Sequence, residues 1–282
     1  MLAPVPTNFD LHCHSAASDG VLTPAALVRR AAANGVQVLA LTDHDELAGL
    51  AEAQAAAAEC GVRFVPGVEI SITWGGITIH VVGLGIDPRS DVLARGLAHV
   101  RASRARRAER IAAEFDRLGI PGTLAGAYAY AGNPNLVGRA HFARYLVEQG
   151  VARDVKSVFA RFLVAGKPGY VPHEWATLAD AVGWIRASGG RAVVAHPGRY
   201  SLGPERLRQF FVEFIAAGGE AVEVVTGSHT RAQYGEYARL AHELGLAASR
   251  GSDFHGPDES EIDLGALPPL PPGLKPVWHD WA

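Results

Sequence analysis

Asp10-Leu11-His12-Cys13-His14 sets two imidazoles two positions apart just after an apolar start. Side chains on a strand alternate faces with period two, so His12 and His14 point the same way and form a ready pair of metal ligands. Cys13, between them, faces away as a packed thiol. Further groups able to bind metal recur where apolar runs end: Asp43-His44-Asp45, Glu69, His80, His196, and Asp253 with His255. A single buried histidine is usually structural, but so many strand ends in His, Asp or Glu point to one shared metal site.

Residues so far apart in sequence need a scaffold that gathers strand ends. Phe9 to His14 reads as a strand, and Thr23-Pro24 opens a helix that Asn34-Gly35 stops. Val36 to Thr42 reads as a buried strand and Leu47 to Glu59 as an alanine-rich helix closed by Cys60-Gly61. Val62 to Ile72 and Ile77 to Val82 read as strands joined by the turn at Gly75-Gly76. The rhythm resumes with helix 178–188 and strand 191–195, helix 204–217 and strand 221–226, then helix 231–244 and strand 246–249. This alternation predicts an α/β fold, either a parallel barrel or a doubly wound sheet; in a barrel the site collects at the C-terminal ends of the strands.

From His99 to Gly169 the chain reads as consecutive helices, which predicts an inserted helical subdomain. Arg101, Arg104, Arg106, Arg107 and Arg110 spread over its first helix and predict a solvated surface. Pro268 to Pro272 predicts an extended tail.

Composition sets limits on function. The 282 residues are 48% hydrophobic and 20% charged, ordinary globular usage with material for a sizeable core. A net charge of -3, from 26 basic and 29 acidic residues, gives no global footprint for nucleic acid or an anionic membrane, so anion binding must be local. Two cysteines make no disulfide framework, and neither a secretory leader nor a membrane-length apolar run is apparent; the expected compartment is the cytoplasm.

Taken in order, Asp10-Leu11-His12-Cys13-His14, Thr42-Asp43-His44, Gly67-Val68-Glu69, Ala195-His196-Pro197 and Gly251-Ser252-Asp253-Phe254-His255 resemble the successive motifs of the polymerase and histidinol phosphatase (PHP) superfamily of metal-dependent phosphoesterases. The resemblance covers nearly the whole chain. It implies a distorted (β/α)7 barrel, with residues 1–98 and 171–282 forming the catalytic barrel and 99–170 a helical subdomain covering the active site. It also implies two or three divalent metal ions. By position, His12, His14, Glu69 and Asp253 would hold one, Glu69 would share a second with His80 and His196, and Asp19, His44 and His255 would hold a third. Asp19 stands where some trinuclear members place a histidine.

Asp19, Glu69 and Asp253 bring three negative charges against six positive ones from three divalent ions, so a filled centre would stay cationic and attract an anion. Such ions would lower the pKa of a bound water, giving a metal-bound hydroxide as nucleophile, and would clamp the phosphoryl oxygens. The histidine-rich shell suits Mn2+, Fe2+ or Zn2+ better than Mg2+, and the family resemblance favours Mn2+. Asp10, Asp43 and Asp45 flank these ligands and would orient imidazoles as hydrogen-bond acceptors.

The layout resembles most the 3′,5′-nucleoside bisphosphate phosphatases, which overlap with 5′→3′ oligoribonucleases. That implies a small nucleotide as substrate, with short 5′-phosphorylated RNA as a second. By the same resemblance Arg139 would grip a second phosphate bidentately, with His141 or His173 nearby, and Arg199 and His229 would stand on the same rim. The general acid for the leaving group would be His173 or a metal-bound water. A histidinol-phosphate phosphatase would call for acids over the site where the insertion offers arginines. A metal-binding module without turnover would not need a multinuclear cluster.

Overall fold

The computed structural model describes residues 7–281. Seven strands lie side by side in chain order: β1 (Phe9–Asp10), β2 (Val38–Leu41), β3 (Arg63–Trp74), β4 (Ile77–Leu84), β5 (Arg191–Val194), β6 (Ala221–Thr226) and β7 (Ala247–Gly251). β1 to β3 are parallel and β5 to β7 are parallel, while β4 runs antiparallel to both β3 and β5. The outer edges almost meet. Leu11 N donates to Arg250 O at 3.1 Å, Asp253 N to His12 O at 2.8 Å and His14 N to Phe254 O at 2.9 Å. The sheet is therefore a nearly closed, distorted seven-stranded barrel, as expected.

The expected first strand is shorter in ladder terms than Phe9 to His14, because beyond Asp10 the main chain meets that of the β2 side only where Thr42 N donates to Cys13 O at 3.0 Å, and otherwise bonds to the segment after β7. Only glycine fits at that approach, since a Cβ on Gly251 would stand 2.3 Å from the His12 Cβ. Period-two alternation then sorts the strands into two faces. Val38, Ala40, Val65, Val82, Leu84, Val193 and Ala221 fill the barrel, whereas Leu39, Leu41, Val68, Ile70, Val81, Val194 and Val222 pack outward. Cys13 is among the outward residues and fully buried, its thiol donating to Ala40 O at 3.1 Å.

The outer layer is helical. α1 (Pro24–Ala33) is capped by Thr23, and α2 (Leu50–Cys60) ends on left-handed Gly61. α7 (Leu178–Ala187), α8 (Pro204–Ala216) and α9 (Arg231–Leu244) cover the second half. Between β4 and α7 come α3 (Asp91–Arg117), α4 (Thr123–Tyr130), α5 (Arg139–Glu148) and the single turn α6 (Val155–Val158).

α3 starts at Asp91, before the His99 expected from sequence, because Ser90 accepts from Leu93 N as its cap. Its first half packs Leu93, Leu97 and Val100 on the barrel; its second half packs Ala108, Ile111 and Phe115 into a separate core with Phe142, Leu146 and Leu163. One rigid helix thus ties the insertion to the barrel. At the opposite end the tail folds back, with Val277 inside the barrel core and Trp278 stacked on Phe9 at 4.1 Å. No helix among the described residues is long and apolar enough to cross a membrane.

Candidate metal centre

The inward parity of the barrel is apolar at one end and polar at the other. On β3 it runs from Val65 through Gly67 to Glu69 and Ser71, and on β6 from Ala221 to Glu223. His80 faces Ser71 across the β3–β4 ladder. It therefore lies in the first half of its strand rather than at the end of an apolar run, because β4 is the reversed strand. His44 follows β2, His196 follows β5, and Asp253 and His255 follow β7. Three non-glycine residues have positive φ among the described residues: Asp45 at 51°, His196 at 27° and Asp253 at 56°. All three are ligand candidates or the direct neighbour of one, and such backbone is held only where its surroundings over-determine it.

The side chains converge. His12 Nε2 and His14 Nε2 are 3.1 Å apart, and Asp253 Oδ1 lies 3.4 and 3.3 Å from them. Glu69 is the hub. Its Oε1 lies 3.0 Å from both His80 Nδ1 and His196 Nε2 and 3.4 Å from His12 Nε2, while its Oε2 lies 2.9 Å from His44 Nδ1 and 3.3 Å from His14 Nε2. Asp19 stands slightly apart, 3.5 Å from His255 Nε2, 3.8 Å from His44 Nε2 and 3.9 Å from His14 Nδ1.

Four overlapping groups emerge: His12, His14 and Asp253; His12, Glu69 and His196; His44, Glu69 and His80; and His14, Asp19, His44 and His255. His44 thus reaches Glu69 as well as Asp19, and His196 groups with His12, so the clusters are more interleaved than a ligand-by-ligand division suggests.

These residues fit divalent cations. Ligand atoms about 2.1 Å from a shared ion stand about 3.0–3.4 Å apart at octahedral or tetrahedral angles. His14 Nδ1, Asp19 Oδ1, His44 Nδ1, Glu69 Oε2, His80 Nδ1 and His196 Nδ1 are all buried without a hydrogen-bond partner. Close approach without hydrogen-bond alignment is costly unless something else fills the gap. Burial opposes ionisation of Glu69, yet His80, His44 and His12 hold its carboxyl well below the usual range; Asp253 is held down in the same way by His12, His14 and His255. Burial, with the nearby Arg199 charge, pulls His196 down to about 3, leaving a neutral ring with a free lone pair.

Buried acids hold the ligands from behind, though not as expected. Asp10 accepts from Ser252 N and Gly265 N, at 2.8 and 2.9 Å, and Asp43 from Ser15 N, Ser15 Oγ and Ser18 Oγ at 2.6–2.7 Å. Asp45 accepts from Ser71 N at 2.8 Å, from Ser71 Oγ and from Arg104. None of the three accepts from an imidazole; they fix the loops instead.

The acid that does orient a ring is Glu223, which the motif reading missed. Its Oε1 accepts from His12 Nδ1 at 2.7 Å and its Oε2 from His196 N at 2.6 Å. The signal was a lone carboxylate inside the apolar run Ala221-Val222-Glu223-Val224-Val225.

The cluster floors a cleft of about 520 Å3 lined by Arg139 and Arg199. His141, His173 and His229 do not line it. His141 is buried and accepts from Gly138 N at 3.0 Å, closing the start of α5; burial draws its pKa down to about 4. His229 donates from Nδ1 to Val224 O at 3.1 Å and accepts at Nε2 from Gly198 N at 2.9 Å, bracing the loop after His196. His173 Nε2 lies 2.8 Å from Ser103 Oγ, and burial with the charges of Arg107 and Arg104 draws it to about 4. Two arginines expected on a solvated helix, Arg104 and Arg107, instead turn inward, 8% and 6% exposed, and line the cleft with Trp175. Their Cζ atoms stand 4.7 and 5.1 Å from its ring centroid.

The sequence profile of the PHP domain matches residues 10–95. The chain is 49% identical to a 3′,5′-nucleoside bisphosphate phosphatase from Chromobacterium violaceum, over 97% of this chain and 96% of the relative. It is 44% identical to a 5′-3′ exoribonuclease from Haemophilus influenzae, over 96% of this chain and 98% of the relative. A solved structure from Chromobacterium violaceum, described as an amidohydrolase with bound sulfate and no metal, aligns with a TM-score of 0.94 at 49% identity, covering 97% of this chain and 95% of that one.

Proposed function

Because this chain belongs to the PHP domain family and matches, over nearly their whole lengths, relatives named for bisphosphate hydrolysis and for 5′-3′ exoribonuclease action, we propose that it acts as a phosphatase of nucleoside 3′,5′-bisphosphates. The chain is a metal-dependent phosphoester hydrolase. On this reading it removes the 3′-phosphate, as from 3′-phosphoadenosine 5′-phosphate, and also trims short 5′-phosphorylated RNA. One observation carries the reading: a buried cluster of histidines and carboxylates opens into a cleft that five cationic side chains, Arg104, Arg107, Arg139, Lys156 and Arg199, help to line.

His12, His14, Asp253 and Glu69 would hold one ion, Glu69 would share a second with His80 and His196, whose nitrogens each lie 3.0 Å from its Oε1, and Asp19, His44 and His255 would hold a third. Divalent ions there supply Lewis acidity, which neutralises charge on the phosphoryl oxygens and acidifies water. We take Mn2+ as the metal, since imidazole-rich donors suit it better than Mg2+. The chain's own groups do the rest. Glu223 and the loop acids keep the ligands from relaxing toward one another, Arg199 stays on Asp253 at 2.9 Å, and Arg139 meets the second phosphate. The separate apolar core of the helices supports treating residues 99–170 as an inserted subdomain over a catalytic barrel of residues 1–98 and 171–282.

The test is a substrate panel. Protein reconstituted with Mn2+ is offered a nucleoside 3′,5′-bisphosphate, histidinol phosphate and a short 5′-phosphorylated RNA, and released phosphate and mononucleotides are measured. Turnover of the bisphosphate is expected to lead. Turnover of histidinol phosphate alone would replace this reading, and turnover of none would leave a binding module.

A further inference from the structure

The ligand candidates differ in what holds them. Glu69 and His80 sit inside the β3–β4 ladder, and His12 and His196 are braced by Glu223 from within the barrel. Asp19, His44 and His255 lie instead on the loops after β1, β2 and β7, and the inserted helices touch all three loops. Gly132 packs so closely on the first that a Cβ there would stand 2.4 Å from the carbonyl oxygen of Ala16. Asn133 donates to Glu46 Oε2 at 3.0 Å, two residues past His44. Arg144 reaches furthest. From the middle of α5 its guanidinium forks onto Glu259, Nε to Oε1 at 2.6 Å and Nη2 to Oε2 at 2.8 Å, and Nη2 also donates to the main-chain carbonyl of Asp19.

Glu259 is tied to His255 by a compact turn. Ser260 Oγ accepts from His255 N at 2.8 Å, while Glu259 N and Ser260 N donate to Gly256 O at 3.2 and 3.0 Å. One side chain of the insertion thus grips the loop of Asp19 and the loop of His255 together. Arg144 is 8% exposed, and a bidentate, charge-assisted fork shielded from water is strong and directional. It does not line the cleft, so it acts through those loops and not on a bound anion. Resting on the three-ion centre proposed above, we propose that Arg144 is a positioning residue for the third ion, holding Asp19 and His255 at the spacing that His44 completes. Occupancy of that site therefore depends on how the insertion is docked, whereas His12, Glu69, His80 and His196 are braced by the barrel itself.

The experiment counts ions and so is independent of the substrate panel. The metal-free full chain is titrated with Mn2+, free Mn2+ is read from its electron paramagnetic resonance signal, and metal-free stability is read by chemical denaturation. Wild type is expected to take up three ions. Arg144→Met, which keeps the stem and loses the fork, is expected to bind the last of them about 10- to 100-fold more weakly while the other two keep their affinity. Arg144→Lys should fall between, since a single point charge cannot serve Glu259 and Asp19 as the fork does. The double variant Arg144→Met with Glu259→Met strands no charge, so its metal-free stability should recover while the last ion stays weak. Arg153→Met, at an 88% exposed side chain elsewhere on the insertion, is the control and should change neither. Should Arg144→Met fail to fold, Arg144→Lys and the double variant decide. Wild-type affinity for every ion in these variants, equal weakening of all three, or recovery of the last ion along with stability in the double variant would overturn the positioning role. A wild-type chain that binds only two ions would instead overturn the three-ion centre it rests on.

Discussion

Strand ends build the metal-ligating floor of the cleft, whereas helices inserted between β4 and β5 build its arginine wall, and the two hold their side chains by different means. On the floor, each ring or carboxylate except the loop residue Asp19 comes from a strand or the residues just past one, and buried acids fix the loops between them. On the wall, Arg107 and Arg139 are held by aromatic faces and single carbonyl contacts, and Arg104 adds to its aromatic contact the Asp45 carboxylate that ties it to the floor. Ordering many short, cross-braced elements fixes positions closely, as a multinuclear site requires. Long side chains on helices can move to meet a ligand. The floor is thus suited to chemistry common to phosphoesters, and the wall to choosing among them.

The contrast is broken most severely at Glu69, whose two oxygens approach five imidazoles between them. Glu69→Gln keeps the shape and removes the charge. We expect it to retain little metal after dialysis and to lose at least about a thousandfold in activity, since several kcal/mol of charge stabilisation leave with the ions. Metal content at the wild-type level would show that the floor does not depend on its hub.

The same contrast explains what could be read from sequence. His12, His14, Asp253 and His255 belong to short motifs in which neighbouring residues share a fate, so the barrel and its ring of ligand candidates were legible. Wall residues carry no such local signature. Arg104 and Arg107 belong to a run of arginines spread over the helix, and it is the packing of Val171 and Trp175 against α3, with Asp45 taking Arg104, that turns them inward. Glu223 hid for a related reason: its partners His12 and His196 lie 211 and 27 residues away in the chain. The reversal of β4 against β3 was legible in the two-residue turn at Gly75-Gly76, which can join only antiparallel strands, whereas its antiparallel pairing with β5 left no local mark.

Floor and wall are joined at Asp45. Its carboxylate takes Arg104, its carbonyl accepts from Arg101 at 2.7 Å, and its N–H donates to Glu69 O at 2.9 Å. Asp45→Asn tolerates the same left-handed backbone, so φ strain is left alone and only the charge is removed. Arg104, 8% exposed, would then lack a counter-charge, and breaking such a buried pair costs about 3–5 kcal/mol. Chemical denaturation should show that loss in the metal-free protein, before any ion can mask it. A change under about 1 kcal/mol would mean that α3 itself is joined to the floor by apolar packing.

Glu223 offers the finest cut, because it acts on the floor without facing the cleft. One of its oxygens sets the His12 ring and the other holds the His196 peptide N–H, so it ties together two ligands from strands that are not neighbours, β1 and β5. Glu223→Gln can still accept one of these bonds, but its amide N–H must then meet a donor, which leaves either the ring or the peptide unsatisfied. Loss of one such orienting contact typically weakens metal binding about 10- to 100-fold. Competition with a chelator should read that shift directly. The wall is untouched, so the preference for a bisphosphate over an aryl monophosphate should persist at saturating metal even as affinity for the metal falls. If that preference fell together with metal affinity, ligand geometry and substrate choice would be one property of the cleft instead of two.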